Sequence, residues 1–474
     1  MYTKNLDKKT FLKKRGWFFL FGAAGSALLL FYDNAFTFFY RDILGLDAVL
    51  LATVLTVFSV WNAVNDPVFG FISDRTKSKW GRRKPYILLG AIPFGACFWF
   101  MFNPLVDLTN ASQTTLAIYA FIILFFYDGF YSLVYSNWMA LIPETYRDQN
   151  ELRKFNLKRL SINVIVGIAV YLSYDKLRFI DSPNGTNMFY IGLIPAVLMP
   201  IFLLLCTIGI KENPMYAKTF KTSVGMSIKQ AFQNKHFVGF TLYHSMFNVA
   251  KTLLMTNLSA LAYYNLVTGK FLGFGVVSLV TTVTFVVVLL MYPLWNIIFK
   301  KVTKGWTNVV CLLIFAVACV IFQFVTEIKG AMVVAVLLGF AQSGYSLSHD
   351  LFNARQLDYH FAKTGQRAEG SYAGVAAGID RLILIIPAWI VALIFAIGKH
   401  TAGTLPENMT SSALLAVKSV CGIGAAVFFI ISAILSATLY GLRGETWKKV
   451  EAEAKAMDEK LIEEEKNIEK LKEV

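Results

Sequence analysis

Charged residues are scarce in this chain of 474 residues and make up 16% of it, whereas soluble domains carry about 25%. Apolar residues account for 56%. Between short charged runs lie apolar stretches of about 20 residues, the length at which a helix crosses a bilayer. Only helices satisfy their own backbone hydrogen bonds over such stretches. The sequence therefore excludes a soluble fold and predicts an all-α polytopic membrane protein.

Cysteine is also rare, and the five cysteines lie inside apolar stretches at spacings that match neither a metal site nor a redox pair. We find no phosphate-binding loop and no nucleophile–base pair, so we expect neither an enzyme nor a bound cofactor. The net charge of +15 resides mainly in loops and is not gathered on one basic face. We therefore expect a lipid bilayer around the chain and no nucleic-acid partner.

Twelve transmembrane spans are predicted, and an even number places both termini on the same side. Lysine and arginine cluster in the N-terminal tail, in the loops after spans two and four, and in the segment 211–235. Because positive charge marks cytoplasmic loops, both termini are expected in the cytoplasm of a multi-pass plasma-membrane protein. The predicted spans are 17–40, 48–71, 86–104, 114–141, 158–178, 188–210, 236–264, 272–298, 308–327, 330–349, 372–397 and 413–440.

The polar segment 211–235 divides the spans into two sets of six. We predict an N-terminal six-helix bundle at 1–210, a cytoplasmic central linker at 211–235 and a C-terminal six-helix bundle at 236–440. Residues 441–474 show apolar positions at a spacing of three to four and predict a cytoplasmic amphipathic helical tail. Two six-span halves are typical of transporters with a binding site near the bilayer midplane. A monomer is expected.

Four motifs point to one family. Residues 61–70 read WNAVNDPVFG, and 74–85 read DRTKSKWGRRKP. The others are YRDILGL at 40–46, ALIPE at 140–144, and DY at 358–359 with TGQRAEG at 364–370. Together they resemble the glycoside-pentoside-hexuronide cation symporters, the melibiose-permease branch of the major facilitator superfamily.

The resemblance implies the twelve-helix major facilitator fold and cation-coupled symport of a sugar or glycoside by alternating access. It also implies that the loop after span two gates the transporter rather than binding substrate. The gating residues would be Asp74, Arg75, Arg82 and Arg83. Positive charge in this loop also fixes orientation, and the two roles are compatible.

Polar residues on span two suggest a coupling-ion site. Ser59, Asn62 and Asp66 recur at i, i+3 and i+7 with Asn65 beside them, so their oxygens share one helix face. One carboxylate with neutral oxygens suits a proton or a hard monovalent cation. The alternative is that Asp66 pairs with a base such as Arg159 for packing alone.

The resemblance places the cation site at the positions of Asn62, Asn65 and Asp66. Sodium-using members of the family carry aspartate where this chain has Asn62. The loss of that carboxylate favours a proton over sodium as the coupling ion, with sodium at Asp66 and Asn62 as the alternative. No other metal site is expected.

Several ionisable residues are predicted at bilayer depth, where each costs at least ~2.5–3.5 kcal/mol and is a functional candidate by default. In span four, Asp128, Tyr131, Ser132 and Tyr135 share one face, which suits either a sugar ring or helix packing. Trp138 would join that site or an interfacial belt. The candidate substrate residues are Asp33, Asp128, Tyr131, Tyr135, Arg159, Lys251 and Arg381.

Two features leave the substrate open. The sugar-binding carboxylates of the family are missing, since the corresponding positions are Ser26 or Ala27 in span one and Tyr135 in span four. In span seven, His244, Asn248 and Lys251 form one stripe. Lys251 would pair with Asp33 or Asp128 across the halves, or hold an anionic group.

Two other functions remain open from the sequence. The same fold could carry an organic anion or a lysolipid-like substrate, recognised by Lys251 and Arg381. A non-transporting membrane sensor that signals through its tail is the other alternative.

Overall fold

The computed structural model describes residues 16–76, 78, 80–108, 110–146, 149–180, 182, 186–210, 229, 231–301, 306–364 and 369–472. Some side chains within these ranges are not described, among them those of Asp33, Asp66, Asp74 and Arg75. Most of the predicted linker 211–235 also lies outside the described residues. The described chain is almost entirely helical.

Thirteen long helical segments follow one another along the described residues. They are α1 (Gly16–Ile43), α2 (Ala48–Arg75), α3 (Lys84–Phe102), α4 (113–145), α5 (Gln149–Arg178), α6 (Phe189–Ile208), α7 (Lys235–Tyr263), α8 (Val276–Lys301), α9 (Thr307–Phe324), α10 (Ile328–Thr364), α11 (369–398), α12 (Ser411–Leu439) and α13 (Gly444–Lys472).

The segments α1 to α12 correspond in order to the twelve predicted spans. Within the described residues, eleven of them are long and apolar enough to cross a membrane. The twelfth, α7, is 29 residues long but carries the polar stripe of His244, Asn248 and Lys251. Its polarity is explained by its position between the halves, where its neighbours are other helices rather than lipid alone.

Polar side chains before the first turn start several helices. Asp47 accepts hydrogen bonds from the backbone nitrogens of Val49 and Leu50 at 2.8 and 3.2 Å and so caps α2. Asn234 caps α7 in the same way, accepting from the nitrogens of His236 and Phe237 at 3.0 and 3.2 Å. These caps fix where the helices begin at the membrane surface.

Within each half, small residues allow close packing of helices. A Cβ on Gly95 of α3 would lie 2.5 Å from Pro200 Cγ of α6, and one on Gly339 of α10 would lie 2.7 Å from the carbonyl oxygen of Thr284 in α8. Membrane helices typically approach through such positions. Large apolar side chains such as Ile397, 74% exposed, remain on the outside, where lipid would cover them.

Two helices are longer than the sequence predicted. The span predicted at 330–349 continues as α10 to Thr364, so Asp358 and Tyr359 lie in a helix and not in a loop. Likewise α5 begins at Gln149 and not at 158. Hydropathy marks only the part of a helix that lies in lipid, and a polar helical extension past the membrane surface has no such signal.

The tail forms the helix α13, whose first turns pack on the end of α10. The Arg355 guanidinium of α10 lies 4.7 Å from the ring centroid of Trp447, and Val450 is 5% exposed. Lys363 and Glu453 form an exposed ion pair at 2.9 Å. The start of α13 is therefore in contact with the end of α10.

Candidate functional site between the two halves

The centre of the N-terminal half contains a buried polar network between α2 and α4. The Asn65 side-chain amide donates to Oδ2 of Asp128. The Ser132 hydroxyl donates to Oδ1 of Asn65 at 3.0 Å. All three side chains are buried, with Asp128 only 2% exposed. Ser132 opens a π-helical turn of α4, Ser132–Ser136, a local widening that is frequent at functional sites.

The network extends into the C-terminal half through Arg381 of α11. Its Nη1 lies 3.9 Å from Oδ1 of Asp128, an ion pair between residues of opposite halves. The Arg381 side chain is 21% exposed and the Asp128 side chain 3%. A carboxylate at this depth is costly unless it is paired and hydrogen-bonded. The contact therefore links the state of the central carboxylate to the relative position of the halves.

The predicted ion-site face of α2 is only partly assembled. Ser59 is buried, but its hydroxyl donates to the carbonyl oxygen of Leu55 in its own helix at 2.8 Å. By contrast, Oδ1 of Asn62 is buried and has no hydrogen-bond partner in the described part of the chain. Asn65 is engaged with Asp128, and the side chain of Asp66 lies outside the described residues. Asn62 is thus a buried acceptor able to receive a ligand.

The aromatic face of α4 serves packing more than the sequence suggested. Tyr135 is 3% exposed and packs against Gly25 of α1, where a Cβ would come within 2.7 Å of its hydroxyl oxygen. Tyr131 is half-buried and lies beside Tyr135, with ring centroids 5.4 Å apart. Trp138 is 2% exposed and donates to the carbonyl oxygen of Phe19 at 3.3 Å. The interfacial-belt interpretation of Trp138 is therefore wrong.

Two basic candidates border the site in different ways. Arg159 of α5 is half-buried, donates to Met139 Sδ at 3.2 Å and keeps Nε without a hydrogen-bond partner among the described residues. Lys251 of α7 is exposed although it lies midway along its helix. Asp128 is paired with Arg381 and not with Lys251, and the side chain of Asp33, the other predicted partner, lies outside the described residues.

The predicted gating loop is partly described. Arg82 and Arg83 are half-buried just before α3, and the Ser78 hydroxyl donates to the carbonyl oxygen of Gly81 at 2.7 Å in the preceding turn. The side chains of Asp74 and Arg75 lie outside the described residues. The gating role stays a prediction.

A second polar cluster, which the sequence did not reveal, joins the halves at their outer ends, the ends opposite the positively charged loops. We call it the outer cluster: Arg41, Asp42, Asn257, Tyr264 and His400. Arg41 Nη2 lies 2.7 Å from Asp42 Oδ2, and both side chains are 0% exposed. Arg41 Nη1 donates to Asn257 Oδ1 at 3.0 Å, and the Tyr264 hydroxyl donates to Asp42 Oδ1 at 3.0 Å.

His400 completes the outer cluster from the loop after α11. Its Nε2 lies 3.7 Å from Asp42 Oδ1, and its side chain is 1% exposed. Burial lowers the pKa of His400 to about 4; Asp42 opposes that shift and Arg41 adds to it. Nearby, Gly45 and Gly403 meet with positive φ angles of 77° and 72°, so the two outer loops touch through backbone alone. The outer ends of the halves are in close contact.

Comparison with known proteins identifies the family. Residues 18–442 match the family described as MFS/sugar transport protein. The chain belongs to this family. Its resemblance to the glycoside-pentoside-hexuronide branch of the major facilitator superfamily is thereby confirmed, and the chain is a membrane transporter by family.

Individual relatives agree with the family assignment. The inner membrane symporter YicJ of Escherichia coli is 23% identical over 91% of this chain and 92% of its own length. The uncharacterized symporter sll1374 of Synechocystis is 36% identical, but the match covers 32% of this chain and only 28% of that protein. A crystal structure of a D-xylose-proton symporter superposes with a TM-score of 0.57 at 14% identity, covering 90% of this chain and 98% of that one. This likeness supports the fold.

Proposed function

We propose that this protein is a secondary active symporter that moves a sugar or glycoside with a proton by alternating access. The observation that carries the proposal is the ion pair between the buried Asp128 and the partly exposed Arg381, which joins the two halves. Carriers built from two such halves bind substrate between them. The family description, sugar transport, supplies the substrate class. In this proposal the protein lies in the plasma membrane with both termini in the cytoplasm.

The coupling ion would bind on α2. Asp66 would carry the proton, because the unpartnered oxygen of Asn62 lies one helical turn away and a carboxyl at the bilayer depth predicted for this position favours its protonated form. Asn65 lies on this face of α2 and donates a hydrogen bond to Asp128. A proton that binds to α2 would therefore change the electrostatic environment of the ion pair between the halves. Arg381 and Lys251 would meet the substrate from the opposite half.

Uptake into proteoliposomes tests this proposal. A panel of labelled sugars, glycosides and organic anions is offered with separately imposed proton and sodium gradients, to wild type, Asp66→Asn and Asp47→Asn. Asp47 is the matched control, because it is the N-cap of the same helix and its carboxylate accepts only from backbone nitrogens among the described contacts, a role that asparagine fills equally well.

We expect a sugar to accumulate with the proton gradient in wild type and in Asp47→Asn, whereas Asp66→Asn should only equilibrate it. Accumulation driven by sodium alone would reject the proton. An anion that accumulates where no sugar does would favour the second candidate, carriage of an organic anion or lysolipid-like substrate, which the exposure of Lys251 supports.

A further inference from the structure

A second group of ionisable side chains lies inside the C-terminal half, apart from the network of α2 and α4. His244 of α7 stands between Tyr345 and His349 of α10 and Asp380 of α11. His244 Nδ1 lies 2.8 Å from the Tyr345 hydroxyl, and Nε2 lies 3.8 Å from Asp380 Oδ2. The hydroxyl of Ser245 donates to the other oxygen of Asp380 at 2.7 Å.

Each ring nitrogen of His244 faces a group that can interact favourably with it in the neutral and in the charged ring. In the Nε2–H tautomer of the neutral ring the tyrosine hydroxyl donates to Nδ1, and Nε2 faces the carboxylate at 3.8 Å, beyond hydrogen-bond distance. In the charged ring Nδ1 donates to the tyrosine oxygen, and the imidazolium faces Asp380. A single hydroxyl rotation at Tyr345 accommodates the change. A purely structural histidine needs partners for only one of these states.

The pair is partly exposed, although the tyrosine beside it is buried. The side chains of His244 and Asp380 are 22% and 25% exposed, whereas Tyr345 is 2% exposed. The ring of His349 lies 4.1 Å from that of His244, centroid to centroid. Asp380 on α11 is the acidic group that faces the ring, 3.8 Å from Nε2, while His349 on α10 and Lys251, two turns further along α7, are the basic groups nearby. A positive charge on the ring would be stabilised by that carboxylate and opposed by any charge on the two bases.

The pair is also connected to the contact between the halves. Asp380 and Arg381 are consecutive in α11, so their side chains leave the helix about 100° apart. Asp380 faces His244 in its own half, and Arg381 faces Asp128 in the other. A change of charge on the first therefore acts on the helical turn that holds the second.

We propose that His244 and Asp380 form a second proton-exchange site in the C-terminal half, loaded and emptied once in each transport cycle. A proton from water on one side binds the imidazole, giving an imidazolium paired with the Asp380 carboxylate, and the same proton leaves to water on the other side. This proposal deepens the proton-coupled symport proposed above and rests on it.

The test is the number of protons that enter with each sugar. Proteoliposomes containing a pH-sensitive dye and labelled lactose, or whichever sugar of the panel the wild type accumulates, report both fluxes together. The variants are His244→Gln and Asp380→Asn. The matched control is His360→Gln. The Nδ1 of His360 in α10 also lies 3.0 Å from a tyrosine hydroxyl, that of Tyr372, but His360 is near the C-terminal end of α10 and away from His244.

We expect the proton-to-sugar ratio to fall about twofold in His244→Gln and in Asp380→Asn, and to stay at the wild-type value in His360→Gln. Sugar counterflow, which exchanges labelled for unlabelled sugar without net proton movement, should persist in both variants and shows that they are folded. The loss of one of two sites explains the size of the change.

Three results would overturn the proposal. An unchanged proton-to-sugar ratio in His244→Gln would show that proton coupling does not use this site. Loss of counterflow in both variants, or a raised KM with an unchanged ratio, would make the cluster a structural or substrate-binding feature. If the wild type itself moves no protons, the proposed function fails, and this inference fails with it.

Discussion

Replacing Asp42 with asparagine would remove the negative charge of the outer cluster and leave Arg41 buried beside a neutral partner. Breaking a buried ion pair on one side costs roughly 3–5 kcal/mol. In a state whose outer ends are apart, Arg41 is hydrated and this cost disappears. Since each 1.4 kcal/mol is about tenfold in an equilibrium, the closed outer end would lose roughly two to three and a half orders of magnitude in relative population.

Spin-label distances measure that shift directly. Val106 and Leu405 lie in outer loops of opposite halves and are 52% and 43% exposed, so labels there should leave the fold undisturbed. The five native cysteines are all buried, and replacing them removes any background labelling. We expect a long-distance population in Asp42→Asn that is minor in wild type.

Asp47→Asn serves as the control, because Asp47 lies five residues further along the same outer end and contacts only its own half among the groups described: backbone nitrogens of α2 and the Gln113 side chain. Identical distance distributions in wild type and Asp42→Asn would refute the reasoning. So would an equal shift in Asp47→Asn, which would point to surface charge in general.

Three further predictions follow from the same contacts. The neutral form of His400 is favoured when the outer end is closed. The contribution of His400 to closure is therefore full above its ordinary pKa of 6.5 and is lost as pH falls towards about 4, by up to ~3 kcal/mol. Spin-label distances should lengthen in acid, and His400→Gln should lose this pH dependence. In a double-mutant cycle, Asp128→Asn and Arg381→Gln should show coupling of about 0.5–3 kcal/mol in sugar affinity, and additive effects would contradict a direct pair. Trp447→Ala should lower the Tm by about 1 °C through loss of its cation–π contact with Arg355, worth about 1 kcal/mol, and an unchanged Tm would show that this contact contributes no stability.

The order of the helices could be predicted from the sequence, because apolar stretches of bilayer length are a property of consecutive residues. The limits of α5 and α10 could not, since their polar extensions lie beyond the lipid. Span seven was also predicted correctly, although His244, Asn248 and Lys251 reduce its apolar character. Its length and its place directly after the charged segment 211–235 were sufficient.

Single helix faces were predicted, but the partners across helices were not. The pattern of Ser59, Asn62 and Asp66 was visible because it depends only on helical periodicity. That Ser59 bonds to its own helix, and that Asp128 pairs with Arg381 over Lys251, depends on how three helices from two halves meet. One sequence without the packing cannot rank such pairs, since every buried base is a candidate for every buried carboxylate.

The outer cluster was missed for the same reason, because its residues are distant from one another in the sequence. Arg41 and Asp42 stood in a motif, but Asn257, Tyr264 and His400 come from two other places in the chain. The helix α7 contributes Asn257 to this cluster and His244 to the proton-exchange pair, about 20 Å apart along one axis at 1.5 Å per residue. A movement of the C-terminal half that separates Asn257 from Arg41 would carry His244 and Asp380 with it and change which side of the membrane they face. The outer closure and the second proton site would then respond to one movement, so a variant that opens the outer end should also change how His244 is protonated.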